Sequence, residues 1–160
     1  MAAALITEAH LLLALDGSAE QLRRLAGDDG TGAARADRVT YGIDVASEEA
    51  DGILLAGFES VERVQALAEA DVHVRHAIAM IWREVLATGK DDFRLPDGKS
   101  IFSADARVAR DVLRAKAQGA RRSSAEEVAT VGQSGLLRPR ASSVQRSYLT
   151  DPTSGRPVGF

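Results

Sequence analysis

The sequence predicts an all-α fold, a small bundle of about four helices. Hydrophobic residues make up 45% of the 160 residues and aromatic residues only 4%, which favours helices packed through small and aliphatic side chains over a β-sandwich. Apolar residues recur at spacings of three and four, and capping residues and glycines flank these segments. A chain of this length can bury a core without a disulfide or a cofactor, so we expect no cofactor.

The absence of cysteine excludes a disulfide framework and a zinc-thiolate site. The opening stretch MAAALITEAHLLLAL carries Glu8 and His10 within its apolar residues and lacks a basic start, so a signal peptide is not expected. The longest strictly apolar run, Ala77 to Trp82, is far shorter than the ~20 residues of a membrane span. We therefore expect a soluble protein without a membrane partner.

The first two helices are predicted from their capping residues. Thr7 is placed to cap the first helix, and Ser18, followed three residues later by a glutamine, has the spacing of a capping box. The second helix is expected to end near Leu25, before Gly27. The following GDDGTGAARAD is rich in glycine and aspartate, which predicts a loop because these residues favour turns and bury little surface.

A long third segment is predicted to be helical from Asp37 to Ala56, with Gly57 as its end. Its apolar residues follow one another at helical spacings. They are Val39, Ile43, Ala46, Ala50 and Ile53.

The hydrophobic centre is predicted to be a helix from Gln65 to Thr88, ended by Gly89. After it, the segment DDFRLPDGKSIF at positions 91–102 has a Pro-Asp-Gly turn between two short apolar stretches, which predicts a small β-hairpin. The central stripe consists of Leu67, Val74, Ala77, Ile78, Ile81, Trp82 and Val85.

A further helix is predicted from Ser103 to Gln118, closed by Gly119. Its inner stripe is expected to be Val108, Val112 and Ala115. The remainder is rich in Ser, Gly, Pro and Arg, apart from one short helical turn expected at 124–127. We therefore predict two parts, a helical domain at 1–119 and an extended C-terminal arm at 120–160 that orders on a partner.

The charge is divided unequally between the two parts of the chain. Residues 1–120 carry 14 Lys/Arg and 20 Asp/Glu, a net charge of −6, and residues 121–160 carry 6 Arg and 3 Asp/Glu, a net charge of +3. The whole chain has a net charge of −3, which argues against a protein that mainly binds nucleic acid.

Candidate sites for catalysis and metal binding are weak. His73 and His76 neighbour each other on a helix, but no cysteine and no third histidine accompanies them there, so we expect two surface histidines and no metal site. The loop beginning at Asp28 lacks the oxygen ligands of a calcium loop. No nucleophile motif is present, and we do not expect an enzyme.

Two charged helix faces of opposite sign are more informative together than either face is alone. Opposite charges on one small bundle can meet head to tail between identical copies, and such a heterologous contact can close into a ring. Each face alone is also compatible with an ordinary solvated surface. The acidic residues lie on the long helix, at Asp37, Asp44, Glu48 and Asp51, and the basic ones on the last helix, at Arg107, Arg110 and Arg114.

The order of these features resembles the head-to-tail adaptor (connector, neck) proteins of tailed bacteriophages and gene transfer agents, of the phage Mu-like type. The pieces that carry the resemblance are the DDGTG loop from Asp28, ADGILLAG from Ala50 and VRHAIAMIW from Val74. A last helix ending at Gly119 and a tail closing on Gly-Phe complete it.

The resemblance implies an all-helical virion protein of the neck without catalysis, assembled in the host cytoplasm. It would form a ring of about twelve copies that docks on the portal protein, contacts a downstream neck or tail protein, and lets DNA pass without specific binding. The arm would dock on the partner through arginines and aromatic anchors. Those residues are Arg138, Arg140, Arg146, Tyr148, Arg156 and Phe160.

An alternative function belongs to a different class of protein. The face of Arg107, Arg110 and Arg114 would also suit a cytoplasmic regulatory or nucleic-acid-associated helical protein. Steeply salt-dependent DNA binding is the behaviour typical of that class.

Overall fold

The structure, a computed structural model, describes residues 3–134, with side chains described as far as 129. The described part of the chain is helical and contains no β-strand, which confirms the all-α prediction. One short 3₁₀ turn lies between the last two helices. The helices are α1 (Glu8–Ala14), α2 (Ala19–Ala26), α3 (Ala36–Phe58), α4 (Val61–Ala70), α5 (Val72–Ala87) and α6 (Ser103–Ser134).

A compact unit ends at Arg121 and contains every helix of the described residues except the last turns of α6. A second unit begins at Arg122. Of this second unit the structure describes only residues 122–134, which continue α6. The division into a helical domain and a docking arm therefore stays a prediction.

The first two helices begin at the predicted caps. The backbone N–H of Thr7 donates to Nδ1 of His10 at 3.1 Å, and the hydroxyl of Ser18 accepts from the backbone N–H of Gln21 at 3.2 Å. These bonds satisfy N–H groups that have no partner within the helix. α2 ends at Ala26, directly before Gly27.

Helix α5 lies at the centre of the compact unit, with α1, α2, α3 and α4 packed against it. Trp82 is fully buried, and its indole N–H donates to the backbone carbonyl of Val39 at 3.2 Å. Gly42 makes room for the ring, because a Cβ there would lie 2.6 Å from the indole nitrogen. The predicted core faces are confirmed for α3 at Val39, Ile43, Ala46 and Ala50, and for α5 at Val74, Ala77, Ile78, Ile81 and Trp82.

The single helix predicted for 65–88 is wrong, because the chain breaks at Asp71 into α4 and α5. The Asp71 carboxylate accepts from the backbone N–H groups of His73 at 2.9 Å and Val74 at 3.4 Å, so it caps α5. The same carboxylate accepts from Nζ of Lys116 at 2.6 Å. The bond to Lys116 and those to the two amides lower the pKa of Asp71, although burial opposes them.

Gly57 does not end α3, contrary to the prediction. The helix continues to Phe58, and Glu59 follows in the left-handed conformation with φ of 64°. Gly57 is buried where α3 crosses α6, and a Cβ added to it would lie 2.0 Å from the carbonyl oxygen of Ala117. The glycine is therefore needed for a close approach of two helices rather than for a turn.

Gly119 does not close the last helix either. α6 runs without interruption to Ser134, so the extended conformation predicted from residue 120 is wrong for 120–134. The predicted inner stripe is wrong at Val108, which is 58% exposed, and at Ala115, which is exposed, whereas Val112 is partly buried and packs against the core. Smaller side chains face the core because α6 approaches α3 closely. The buried residues of α6 are Ala106, Ala109, Leu113 and Ala117.

The segment 91–102 does not form the predicted β-hairpin. It contains a 3₁₀ turn at Asp91–Phe93 and one isolated antiparallel bridge between Arg94 and Ser100. Its aromatic residues anchor it, because the rings of Phe93 and Phe102 lie 5.6 Å apart between centroids. The segment still pairs across the turn without forming strands, since the backbone N–H of Leu95 donates to the carbonyl of Lys99 at 2.7 Å and that of Ile101 donates to the carbonyl of Phe93 at 2.8 Å.

Substitution of Gly57 tests the helix crossing. We expect Gly57→Ala to lower the free energy of unfolding by about 1–3 kcal/mol, because overpacking at the contact exceeds the gain in helix propensity. Gly52→Ala is the matched control in the same helix, since a Cβ there meets nothing within 4 Å. We expect it to stabilise by up to about 1 kcal/mol. Urea unfolding measures both, and equal effects of the two substitutions would contradict the close approach.

Candidate functional site

The acidic face of α3 is exposed at its centre. Glu48 is exposed and Asp44 is half-buried, and neither has a hydrogen-bond or ion-pair partner among the residues described. Tyr41, 55% exposed, lies on the same face. Asp37 at the start of the helix is exposed and is paired with Arg35, whose Nη2 lies 2.7 Å from its carboxylate. This face thus combines negative charge with one accessible aromatic ring.

Asp51, the fourth predicted member of the acidic face, is only 9% exposed. Its Oδ1 is buried and has no hydrogen-bond partner within the described part of the chain. A buried carboxylate oxygen without a donor is unfavourable. Asp51 is therefore not the solvated carboxylate that the sequence predicts.

Arg110 is turned into the bundle, so it is not part of an exposed basic face. Its guanidinium donates from Nε to Glu49 at 2.5 Å and from Nη2 to Glu84 at 2.6 Å, and its side chain is 24% exposed. The hydrogen bond to Glu49, helped by the one to Glu84, raises the pKa of Arg110 further above its ordinary value although burial opposes this. This ion cluster joins α3, α5 and α6.

The two other predicted arginines of α6 are exposed. Arg107 has no ion-pair partner among the described side chains, and Arg114 pairs with Asp111 at 2.8 Å on the surface of the same helix. Because α6 continues past Gly119, the exposed Arg121 lies two turns beyond Arg114 on the same side of the helix. The basic face is therefore Arg107, Arg114 and Arg121.

Both predicted surface histidines are exposed on α5. His73 and His76 line a surface cavity of about 520 Å³ between α1, α5 and α6, together with Met80 and Val112. No group of three or more His, Cys, Asp or Glu residues that could hold a metal ion occurs in the described part of the chain.

The DDGTG loop uses its carboxylates for its own backbone. Asp28 accepts from the N–H of Gly30 at 2.6 Å, and Asp29 accepts from the N–H and the hydroxyl of Thr31 at 2.8 and 2.7 Å. The Thr31 hydroxyl is the main cause of the lowered pKa of Asp29. These bonds define a helix-connecting loop, as the sequence predicts.

All six predicted docking residues lie outside the described residues. They are Arg138, Arg140, Arg146, Tyr148, Arg156 and Phe160.

Comparisons with known proteins add no identification. No protein family, curated protein or solved structure matches the chain. Between residues 3 and 134, no helix combines the length and the apolar character that crossing a membrane requires.

Arg121 and the ion cluster around Arg110 are not predicted from the sequence. The seven-residue spacing of Arg107, Arg114 and Arg121 is visible in the sequence, but the assumed stop at Gly119 separated the last arginine from the other two. The inward direction of Arg110 had no local signal, since its partners Glu49 and Glu84 come from distant parts of the chain.

Removal of the Arg110 side chain tests the ion cluster. We expect Arg110→Ala to lower the free energy of unfolding by about 2 kcal/mol, because two partly buried carboxylates lose a shared donor. Arg114→Ala is the matched control on the same helix, and an exposed pair of this kind is worth about 0.5 kcal/mol or less. Chemical denaturation of both variants gives the comparison. A loss for Arg110→Ala no larger than for Arg114→Ala would contradict the structural role.

Proposed function

We propose that this chain is the subunit of a head-to-tail adaptor in the neck of a tailed bacteriophage or gene transfer agent. In this proposal about twelve copies form a ring that docks on the portal, extends the DNA channel and presents a surface to the next neck or tail protein. The chain acts as a structural virion protein and performs no catalysis. Three properties support the proposal, and each concerns charge.

One compact helical unit bears two faces of opposite charge, and this observation carries the proposal. The acidic face on α3 contains the half-buried Asp44 and the exposed Glu48, and the basic face on α6 contains the exposed Arg107 and Arg114. A surface of one sign that complements a different surface on an identical copy produces a heterologous contact, which closes into a ring when the rotation per copy allows it. Such faces are expected of a ring subunit.

The net charge suits a protein that surrounds moving DNA. Residues 1–120 carry a net charge of −6, and a predominantly negative wall repels phosphates, whereas a basic wall binds them. DNA can then pass through the channel without specific binding.

The C-terminal segment supplies the proposed contact with the portal. Its composition is basic and poor in apolar residues, and a segment of this kind gains its order on a partner. Arginines pair well with carboxylates on a partner, and aromatic rings fill pockets at the centre of an interface. Tyr148 and Phe160 are the proposed anchors.

Deletion of Arg138–Phe160 tests the docking. We expect the truncated chain to keep the melting temperature of the unit that ends at Arg121, because the deleted residues belong to the second unit. We also expect it to lose association with the portal protein of the same phage or gene transfer agent, measured by co-purification. Retained association of a folded truncated chain would contradict the docking role.

A second variant keeps the whole chain and distinguishes loss of the segment from loss of its positive charges. The variant in which Arg138, Arg140, Arg146 and Arg156 are all replaced by Gln keeps the segment and its two aromatic residues. We expect its association with the portal to be weaker than that of the unmodified chain and its salt dependence to be smaller. Steeply salt-dependent DNA binding by the purified monomer would instead favour the nucleic-acid-associated alternative.

A further inference from the structure

The charged residues of α3 and α6 form two rows with the same spacing. Seven residues are almost two helical turns and about 10.5 Å along the axis, so residues seven apart lie nearly on one line. Each row therefore has three members over about 21 Å. The acidic row is Asp37, Asp44 and Asp51, and the basic row is Arg107, Arg114 and Arg121.

The bundle leaves most of both rows available for a partner. Arg107 and Arg121 have no partner among the described residues, and neither does Asp44. Asp37 and Arg114 have local partners on the exposed surface, Arg35 and Asp111. Exposed pairs of this kind contribute little and exchange readily. The two rows can therefore meet each other between copies without breaking a buried contact.

The buried end of the acidic row adds a carboxylate oxygen without a donor among the described residues. Asp51 is nine-tenths buried, and its Oδ1 has no hydrogen-bond partner in the part of the chain that the structure describes. A positive charge placed along the row from outside would offset the cost of this carboxylate. Tyr41, on the same face and 55% exposed, offers a ring on which a guanidinium can stack.

We propose that copies of this chain dock head to tail with the acidic row of α3 on one copy along the basic row of α6 on the next. Asp44 faces Arg114 whether the two helices run parallel or antiparallel, because both are the middle members of their rows. The equal spacing of the rows lets Asp37 and Asp44 each meet an arginine at the same time, while the buried Asp51 contributes only its negative charge at the end of the row. This inference deepens the proposed ring and rests on it for the closure into a ring. Self-association is measured without a portal, so its failure is distinguishable from a failure of portal docking.

Charge reversal at the middle pair tests the inference in the full chain. We expect Asp44→Arg and Arg114→Asp each to weaken the self-association constant about tenfold, because each replaces an attraction by a repulsion. The double variant restores the attraction with the charges exchanged, and we expect its constant to lie within about threefold of the original. Sedimentation equilibrium measures the constants, and higher salt should weaken association of the original chain and of the double variant alike.

Matched controls use exposed charges of α4, which lie outside both rows. Glu69→Arg and Arg63→Asp change the net charge by the same amounts, and we expect each to leave the constant within about twofold. Circular dichroism verifies that every variant is folded, and Asp44→Asn and Arg114→Gln, which only remove charge, replace any variant that is not.

Three results would overturn the inference. The first is a double variant whose self-association is as weak as that of the single reversals. The second is an equal loss in the α4 controls, and the third is an original chain that stays monomeric up to about millimolar concentration, where contacts worth about 4 kcal/mol are detectable.

Discussion

The close approach of α3 and α6 at Gly57 and Ala117 is the constraint on which the rest of the compact unit depends. Without a side chain at Gly57, the two backbones come into contact, and small residues of α6 face the core. The same approach brings Arg110 within hydrogen-bond distance of Glu49. A larger separation would weaken this ion cluster and change which side chains of both helices face outward.

The crossing of α3 and α6 thereby determines which charged side chains lie inside the bundle and which lie on its surface. Arg110 is used for the stability of the bundle, whereas Arg107 and Arg114 on the same helix remain exposed. Acidic side chains divide in the same way, because Glu49 is bonded inside and Asp44 has no partner among the described residues. A protein in which surface charges of opposite sign stand on different faces has the electrostatic asymmetry that a heterologous contact needs.

Helices are predicted correctly where contacts within the helix determine its ends. They are predicted incorrectly where contacts between distant residues determine them. Thr7 and Ser18 mark helix starts correctly because a cap bonds to its own helix. The break at Asp71 is missed, since a carboxylate that caps a helix and binds a lysine of another helix has no periodic signal. Gly57 and Gly119 are misread as ends because a glycine in a sequence does not distinguish a helix stop from a close contact or from an exposed helical position. The charged faces follow from periodicity, but which of their members point inward depends on the packing.

Head-to-tail docking through the two charged rows is tested most directly by disulfide cross-linking between two differently substituted copies. The chain contains no cysteine, so a copy with Asp44→Cys mixed with a copy with Arg114→Cys provides thiols only on the two proposed faces. Under mild oxidation we expect the mixed disulfide dimer to form well in excess of either homodimer. A statistical mixture of mixed and homodimeric products, or a predominance of homodimers, would contradict head-to-tail docking through the two rows.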